Sequence, residues 1–183
     1  KKNENIRKKY DFKEDAFLIG SFQRDTEGSD LISPKLSKGP DQLLEIITAM
    51  IKDKSNLEVV LTGKRRNYLI NNFTELGIPF HYFEMVDFDM INDLYNCLDL
   101  YIVSSRFEGG PQSVVECGLT KTPIISTRVG IAEQILPAKS LFNMDNFQNA
   151  KPDVDFAYKK SLQYTIPEGF KEFKNLFSRL NEI

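Results

Sequence analysis

Short apolar runs alternate with longer amphipathic segments along the chain from residue 16 onward. The apolar runs predict strands at Ala16–Phe22, Leu57–Thr62, Phe80–Phe83, Leu100–Val103 and Pro123–Thr127. The amphipathic segments predict helices from Pro40 to about Lys52, about Arg66 to Leu76, Asp89 to Cys97 and about Gln112 to Leu119. This order predicts an α/β fold in which right-handed crossovers build a parallel sheet covered by helices. We expect a ligand crevice at the carboxyl ends of the strands.

The pattern loosens after Leu136, and two more amphipathic helices are then predicted, at Asp153–Gln163 and Phe170–Leu180. The last helix carries apolar residues at helical spacing, which we call the C-terminal stripe: Phe170, Phe173, Leu176, Phe177 and Leu180. We expect the stripe to pack on the domain's own sheet. The alternative is docking against a partner domain, because exposed apolar patches mark interaction surfaces.

Length and composition indicate one domain. A chain of 183 residues with 41% hydrophobic content buries one sizeable core. We therefore expect a single domain over residues 1–183, with its core at about 16–150 and C-terminal helices at about 151–183. The net charge of −2, from acidic and basic residues mixed along the chain, argues against a nucleic-acid partner.

The two cysteines and the apolar runs bear on location. Cys97 and Cys117 lie in predicted helices, without the spacing of a metal site or disulfide, and we expect both in the core of a protein from a reducing compartment. No apolar run has the length of a signal peptide or a membrane span.

The segment Gln23–Gly39 is an unusually long connection. Links within compact α/β domains are typically about two to six residues, and longer ones are often functional. This one contains Arg24, Lys35 and Lys38. Since it leaves the end of the first strand, its basic residues can close over an anion held there.

The segment Ser104–Glu116 reads Ser-Ser-Arg-Phe-Glu-Gly-Gly-Pro-Gln-Ser-Val-Val-Glu. A strand ends, a tight turn with Gly109 and Gly110 follows, and a helix begins with Pro111 at or near its first turn. The free backbone N–H groups at that helix start include those of Gln112, Ser113 and Val114. Together with the helix dipole they predict an anion site suited to a diphosphate.

Two glutamates flank this predicted anion site. Glu108 precedes the turn, where its carboxylate can accept hydrogen bonds from the hydroxyls of a sugar. Glu116 lies further along the helix and can accept two hydroxyl hydrogen bonds from a ribose.

The pair of glutamates separated by seven residues, with Glu-Gly-Gly-Pro at the first and Val-Val-Glu at the second, resembles the hallmark of family-4 retaining glycosyltransferases. Other segments fall in the order of that family: Phe17–Gly20, Ser37–Asp41, Val59–Gly63, Asp99–Ser105, and Thr122–Thr127 continuing to Gly130–Glu133. The resemblance covers about residues 16–137. It implies a Rossmann-like parallel sheet with helices on both faces, the nucleotide-sugar-binding lobe of a two-domain, B-type glycosyltransferase.

The resemblance also implies roles for particular residues. Glu116 is expected to bind the nucleotide ribose, and Glu108 with the backbone of Gly109, Gly110 and Pro111 to hold the hydroxyls of the donor sugar. Lys38 is expected to contact the diphosphate.

The chain departs from the family beside the first strand. The family usually has an arginine directly after the strand's glycine, but here Ser21 follows Gly20. Arg24 is our candidate for the missing cation. The nucleotide base is expected over the ends of the second and third strands, bound mainly by backbone. The residues of this part of the site are Gly20, Gly63, Lys64, Met85 and Val86.

The sequence offers little for metal or histidine chemistry. Asp87–Asp89 is typical of a helix start, with Asp89 as the expected N-cap, rather than of a metal site. His81 is the only histidine and lies in a predicted strand. We therefore expect no metal ligands, no metal requirement and no tightly bound cofactor, and any histidine acid or base must come from outside this chain.

The function implied is transfer of a hexose from a nucleoside-diphosphate sugar to a glycan or lipid-linked acceptor with retention, in cell-surface polysaccharide or lipopolysaccharide synthesis. The resemblance further implies a cytoplasmic enzyme, with peripheral contact at the inner face of the membrane as one option. The resemblance implies that an N-terminal, acceptor-binding domain lies outside this chain, so we expect this chain alone to be inactive. The alternatives are half of a sugar-nucleotide epimerase or a non-catalytic nucleotide-binding module.

Overall fold

The computed structural model describes residues 4–180, apart from the side chains of residues 172 and 180. A parallel sheet has the order β3-β2-β1-β4-β5-β6. Its strands are β1 Phe17–Ser21, β2 Leu57–Thr62, β3 Phe80–Phe83, β4 Leu100–Val103, β5 Ile124–Thr127 and β6 Leu141–Phe142. All five predicted strands are present. The sixth was not predicted because two residues are too few to show a period.

Both faces of the sheet are buried. Successive strand residues point to opposite faces, so Leu18 and Tyr101 join one apolar cluster while Ile19 and Ile102 join the other. This burial explains why the strands are continuous apolar runs rather than alternating ones.

Helices cover the two faces: α1 Glu4–Lys9, α2 Pro40–Asp53, α3 Asn67–Leu76, α4 Phe88–Cys97, α5 Gln112–Leu119, α6 Ala132–Ile135, α7 Val154–Ser161 and α8 Glu168–Leu180. Helices α2 and α3 pack in one cluster, and α4 to α7 pack in the other. The predicted α/β fold with helices on both faces is confirmed.

The start of α4 differs from the prediction. Asp87, not Asp89, is the N-cap: its backbone is extended and its side chain accepts a hydrogen bond from the N–H of Met90. Asp89 lies inside the first turn. An N-cap side chain bonds to an N–H two or three residues on, and only Asp87 has helical residues at that distance with an extended backbone of its own.

Two buried charged residues, Arg7 and Glu58, form ion pairs between segments that are distant in sequence. The Arg7 guanidinium, on α1, donates to the Cys97 carbonyl and pairs with Asp99 at 2.8 Å, which anchors α1 beside β1. Glu58 on β2 pairs at 2.7 Å with both Lys13 and His81. His81 therefore has the structural partner expected of a strand histidine.

Both cysteines lie in the core, as expected. Burial raises the pKa of the Cys97 thiol to about 12 and holds the pKa of the Cys117 thiol well above its ordinary value. Neither thiol is therefore an accessible nucleophile.

The C-terminal stripe does not pack on the sheet. Phe170, Phe173, Leu176 and Phe177 on α8 are each more than half exposed, at 59%, 57%, 53% and 58%; the side chain of Leu180 lies outside the described part. The expectation of packing on the domain's own sheet is wrong for these four residues. Helices α2 to α7 already cover both faces of the sheet. Helix α8 instead contacts the short 3₁₀ segment Leu162–Tyr164.

Candidate functional site

The strand order reverses direction between β1 and β4. The chain runs from β1 outward to β2 on one side and from β4 outward to β5 on the other, which leaves a crevice at the carboxyl ends of these neighbours. A cleft of about 350 Å³ lies there, and we call it the switch-point cleft. Its lining comes from residues after β1, the turn after β4, and helices α4 and α5.

Lys38 and Glu108 meet in the switch-point cleft. The Lys38 ammonium donates to Oε1 of Glu108 at 2.5 Å, and the Ser105 hydroxyl donates to the same oxygen at 3.0 Å. The two residues are 70 positions apart in sequence. The fold thus places Lys38, which is predicted to contact the diphosphate, directly against Glu108, which is predicted to hold the sugar.

Gly39 allows Lys38 to reach this position. It has φ of 60°, and a Cβ atom there would lie 1.9 Å from the carbonyl oxygen of Ser104. The Ser104 hydroxyl also donates to the Gly39 carbonyl at 2.8 Å. The loop end therefore packs backbone to backbone on the end of β4, a contact that only glycine permits.

Gln23 connects its own segment, which follows β1, to the segments that contain Lys38 and Ser105. Its amide donates to the Lys38 carbonyl at 2.8 Å, and its side-chain oxygen lies 3.1 Å from the Ser105 hydroxyl, whose single hydrogen it shares with Glu108. Neither Gln23 nor Ser105 was predicted as a site residue. A polar residue after a strand carries no sequence signal that identifies its partners in distant segments.

The long loop after β1 is folded. Thr26 and Pro34 form an isolated antiparallel bridge, and the backbone N–H groups of Asp25 and Thr26 both donate to the Arg65 carbonyl. Arg66 is completely buried beneath the loop, where it pairs with Asp25 at 2.8 Å and donates to the Ser21 carbonyl. This buried pair attaches the loop to the ends of β1 and β2.

Arg24 does not reach the cleft. Its side chain is exposed and its Nε donates to the Thr26 carbonyl at 2.7 Å. Arg66 lies beside Ser21, the position where the family usually has arginine, but its charge is matched by Asp25. Among the described residues that line the cleft, Lys38 is the only cation.

Helix α5 begins at the cleft. Pro111 is its N-cap, with an extended backbone, and the helix runs from Gln112. The N–H of Val114 was predicted to be free, but it donates to the Pro111 carbonyl at 3.0 Å. The prediction is wrong for this residue. The N–H groups of Gln112 and Ser113 have no hydrogen-bond partner within residues 4–180, and both residues line the cleft. A helix start with unused N–H groups is suited to an anion.

The glycine turn before α5 lies close to the backbone of Gly130. A Cβ atom on Gly130, which has φ of 49°, would lie 2.5 Å from the Gly109 carbonyl oxygen. By contrast, no atom lies within 4 Å of a Cβ built on Gly109 itself. A second open cleft of about 460 Å³ lies between the two turns, with Arg106 and Arg128 among its lining residues. Glu108 lines both clefts.

Glu116 lies on α5 and lines the switch-point cleft, as predicted from its spacing. Its Oε2 accepts a hydrogen bond of 2.7 Å from the hydroxyl of Tyr95 on α4. Tyr95 was not predicted as a site residue, because the contact depends on how α4 and α5 pack.

The residues expected around the base lie further along the same edge of the sheet. Gly63 and Lys64 follow β2, and Met85 and Val86 follow β3; none of the four lines the switch-point cleft. Gly63 has φ of 87° and open space around it, and Met85 is 73% exposed. Gly20 is explained by packing, because a Cβ there would lie 2.2 Å from Leu98.

Two further findings concern metals and membranes. Across the described residues, no group of three or more His, Cys, Asp or Glu side chains is arranged to hold a metal ion. Between residues 4 and 180, no helix is both long and apolar enough to cross a membrane.

The chain belongs to a known family. Residues 31–150, more than half of the chain, match the family model described as glycosyl transferases group 1. The chain is therefore a member of the group 1 glycosyl transferases. No curated protein matches it in a sequence search.

Solved structures share the fold at low identity. Sucrose-phosphate synthase from Thermosynechococcus elongatus superimposes with a TM-score of 0.75 at 14% identity, over 99% of this chain and 49% of that one. The lipopolysaccharide outer core galactosyltransferase WaaB gives a TM-score of 0.67 at 18% identity, over 91% of this chain and 50% of that one. This chain thus spans about half the length of these relatives.

A third structure matches along nearly its whole length. It is the C-terminal domain of a group 1 glycosyl transferase family protein (LpcC) from Francisella tularensis, with a TM-score of 0.67 at 15% identity. The match covers 89% of this chain and 93% of that domain. The chain is therefore consistent with the C-terminal domain of a B-type glycosyltransferase.

Proposed function

We propose that this chain is the nucleotide-sugar-binding half of a retaining hexosyltransferase. The observation that carries the proposal is the arrangement at the switch-point cleft, where Lys38, Glu108, Glu116 and the start of α5 surround one space. Membership of the group 1 glycosyl transferases supports glycosyl transfer over the epimerase alternative.

The diphosphate of the donor lies between Lys38 and the start of α5 in this proposal. Gln112 and Ser113, at the positive end of the helix, line the cleft together with Lys38. These groups stabilise the charge that develops on the nucleoside diphosphate as it leaves. A metal ion is not required for that role.

Glu108 and Glu116 recognise the two sugars of the donor. Without a ligand, Glu108 is paired with Lys38. When a diphosphate attracts the ammonium, the Glu108 carboxylate becomes available for the hydroxyls of the transferred hexose. Glu116 accepts hydrogen bonds from the ribose, and the base extends toward the ends of β2 and β3, near Gly63 and Met85.

The rest of the enzyme binds the acceptor. A glycan or lipid-linked acceptor and a role in polysaccharide or lipopolysaccharide synthesis follow from the family resemblance, and one fold relative is a lipopolysaccharide galactosyltransferase. We place the protein in the cytoplasm, at the inner face of the membrane when it meets a lipid-linked acceptor. The four exposed residues of the C-terminal stripe, Phe170, Phe173, Leu176 and Phe177, dock on the acceptor domain, and the chain by itself is inactive.

Calorimetric titration with UDP, GDP, ADP and CMP, without and then with magnesium, tests the proposal. Selective binding of one nucleotide without magnesium supports it. Failure of all four to bind contradicts the proposal that this half contains the nucleotide site.

Two substitutions separate the parts of the site. Lys38→Ala is expected to weaken nucleoside-diphosphate binding by about tenfold or more, because a charge-assisted hydrogen bond is lost, and to affect the nucleoside much less. Glu116→Ala is expected to weaken the nucleoside and the diphosphate form alike. Arg24→Ala is the matched control, since its side chain lies outside the cleft. Negligible effects of both cleft substitutions would contradict the assignment.

A further inference from the structure

Glu116 accepts a hydrogen bond from a buried tyrosine. The Tyr95 hydroxyl, on α4, donates to Glu116 Oε2 at 2.7 Å, and both residues line the switch-point cleft. One carboxylate oxygen therefore has a fixed donor in the absence of any ligand.

Tyr95 is itself held firmly. Only 3% of its surface is exposed, and its ring packs against Phe22 and Tyr101 with centroid distances of 5.0 and 5.6 Å. Its backbone carbonyl accepts a hydrogen bond of 2.9 Å from the Thr122 hydroxyl. Burial, together with the neighbouring Tyr101, raises the pKa of Tyr95, so its hydroxyl remains a donor throughout the physiological range.

We infer that Tyr95 is a positioning residue that orients the Glu116 carboxylate toward both ribose hydroxyls, and thereby selects ribonucleotides over deoxyribonucleotides. This inference rests on the proposed function. A carboxylate has two oxygens with about four lone-pair sites. With the tyrosine bonded to Oε2, rotation of the carboxylate is restricted, and Oε1 with the second site on Oε2 can accept from two adjacent hydroxyls.

The pairing also explains why the carboxylate tolerates a partly apolar wall. Phe22, Ile91 and Tyr101 line the same cleft as Glu116. A carboxylate in a partly apolar cleft needs hydrogen-bond donors to offset its loss of hydration. Tyr95 supplies one donor permanently, and the ribose supplies the others when the nucleotide binds.

The test compares ribose and deoxyribose ligands in Tyr95→Phe. The probes are UDP, GDP, ADP and CDP, each paired with its 2′-deoxy form, titrated into the wild-type chain and the variant. Tyr95→Phe is expected to weaken ribonucleotide binding about five- to tenfold, the net effect of one typical hydrogen bond. The dissociation constant of the 2′-deoxy form should change less than about twofold. The ratio of the dissociation constant of the deoxy form to that of the ribose form therefore falls.

Two more variants make the comparison specific. Tyr10→Phe is the matched control, because its hydroxyl also donates to a carboxylate, Asp93 at 3.0 Å, but outside the cleft. It should leave the ratio unchanged. Glu116→Gln should reduce the ratio by itself, and adding Tyr95→Phe should then reduce it little further, because the two residues act as one unit.

The outcomes distinguish the inference from the proposed function. If the wild-type chain binds none of the nucleotides, the proposed function fails and the inference with it. If it binds and Glu116→Gln loses discrimination while Tyr95→Phe retains it, only the inference is wrong. Equal weakening of ribose and deoxyribose ligands in Tyr95→Phe would also overturn it, since that result shows a merely structural role.

Discussion

Replacing Gly39 by alanine is the most direct test of how the fold presents Lys38. The backbone of Gly39 is left-handed, with φ of 60° and ψ of 43°. The added methyl group would lie 1.9 Å from the Ser104 carbonyl oxygen, a backbone atom that cannot rotate away. The substitution therefore forces the loop away from β4 and breaks the bond from the Ser104 hydroxyl.

The size of the effect follows from two separable costs. A left-handed alanine costs about 1–2 kcal/mol relative to glycine. Displacing the loop by about an ångström costs about 1–3 kcal/mol more, in the range of overpacked sites. Gly77 isolates the first cost, because it has φ of 65° at the end of α3 and no atom lies within 4 Å of its added Cβ.

The assay is thermal unfolding of both alanine variants, followed by nucleotide titration. Gly39→Ala is expected to lose about 2 kcal/mol more than Gly77→Ala, which for a chain of this size is about 4–8 °C in Tm. Binding of the nucleoside diphosphate should weaken only in Gly39→Ala, because Lys38 moves with the loop. Equal losses of Tm in the two variants would refute the close contact between Gly39 and Ser104.

Two further predictions concern other parts of the chain. Phe173→Asp should leave the Tm of this chain within about 2 °C of wild type, because the side chain is exposed, but should reduce transferase activity of the protein that carries the acceptor domain; undiminished activity would contradict docking of α8. Burial acts to raise the pKa of Glu58, yet its histidine and lysine partners hold it below the ordinary 4.5. This pairing therefore stabilises the fold above pH 4.5 and is lost as the pH falls through the lowered pKa. The Tm difference between wild type and Glu58→Gln should shrink on acidification, and a constant difference would contradict the pairing.

Much of the fold could be predicted because its signals are local. Each strand buried on both faces is an apolar run, and helices α2 to α5 show the helical period. The β6 strand and the short helices α1 and α6 could not be predicted, because a few residues carry no period. The position of α8 was not predictable either: its stripe shows that it is amphipathic but not whether a surface is available to cover it.

The candidate site divides in the same way. Glu108, the glycine turn and Glu116 lie on one turn and one helix, so their spacing alone indicated that they face one space. Lys38 was identified through a family motif. Its contact with Glu108, 70 residues away, requires the parallel order in which β1 and β4 are neighbours.

The amino-acid sequence by itself determined the fold class, the family and the linear glutamate motif, because these depend on the order and period of residues. Only the tertiary structure decided which charges are available. Arg66 pairs with Asp25 beneath the loop, and Arg24 bonds to the Thr26 carbonyl and does not line the cleft. Lys38 is therefore the one cation among the described residues that line the cleft. Tyr95 reaches Glu116 only because α4 and α5 share one apolar cluster in the folded chain. Burial and pairing are properties of neighbours in space, which a linear pattern does not specify.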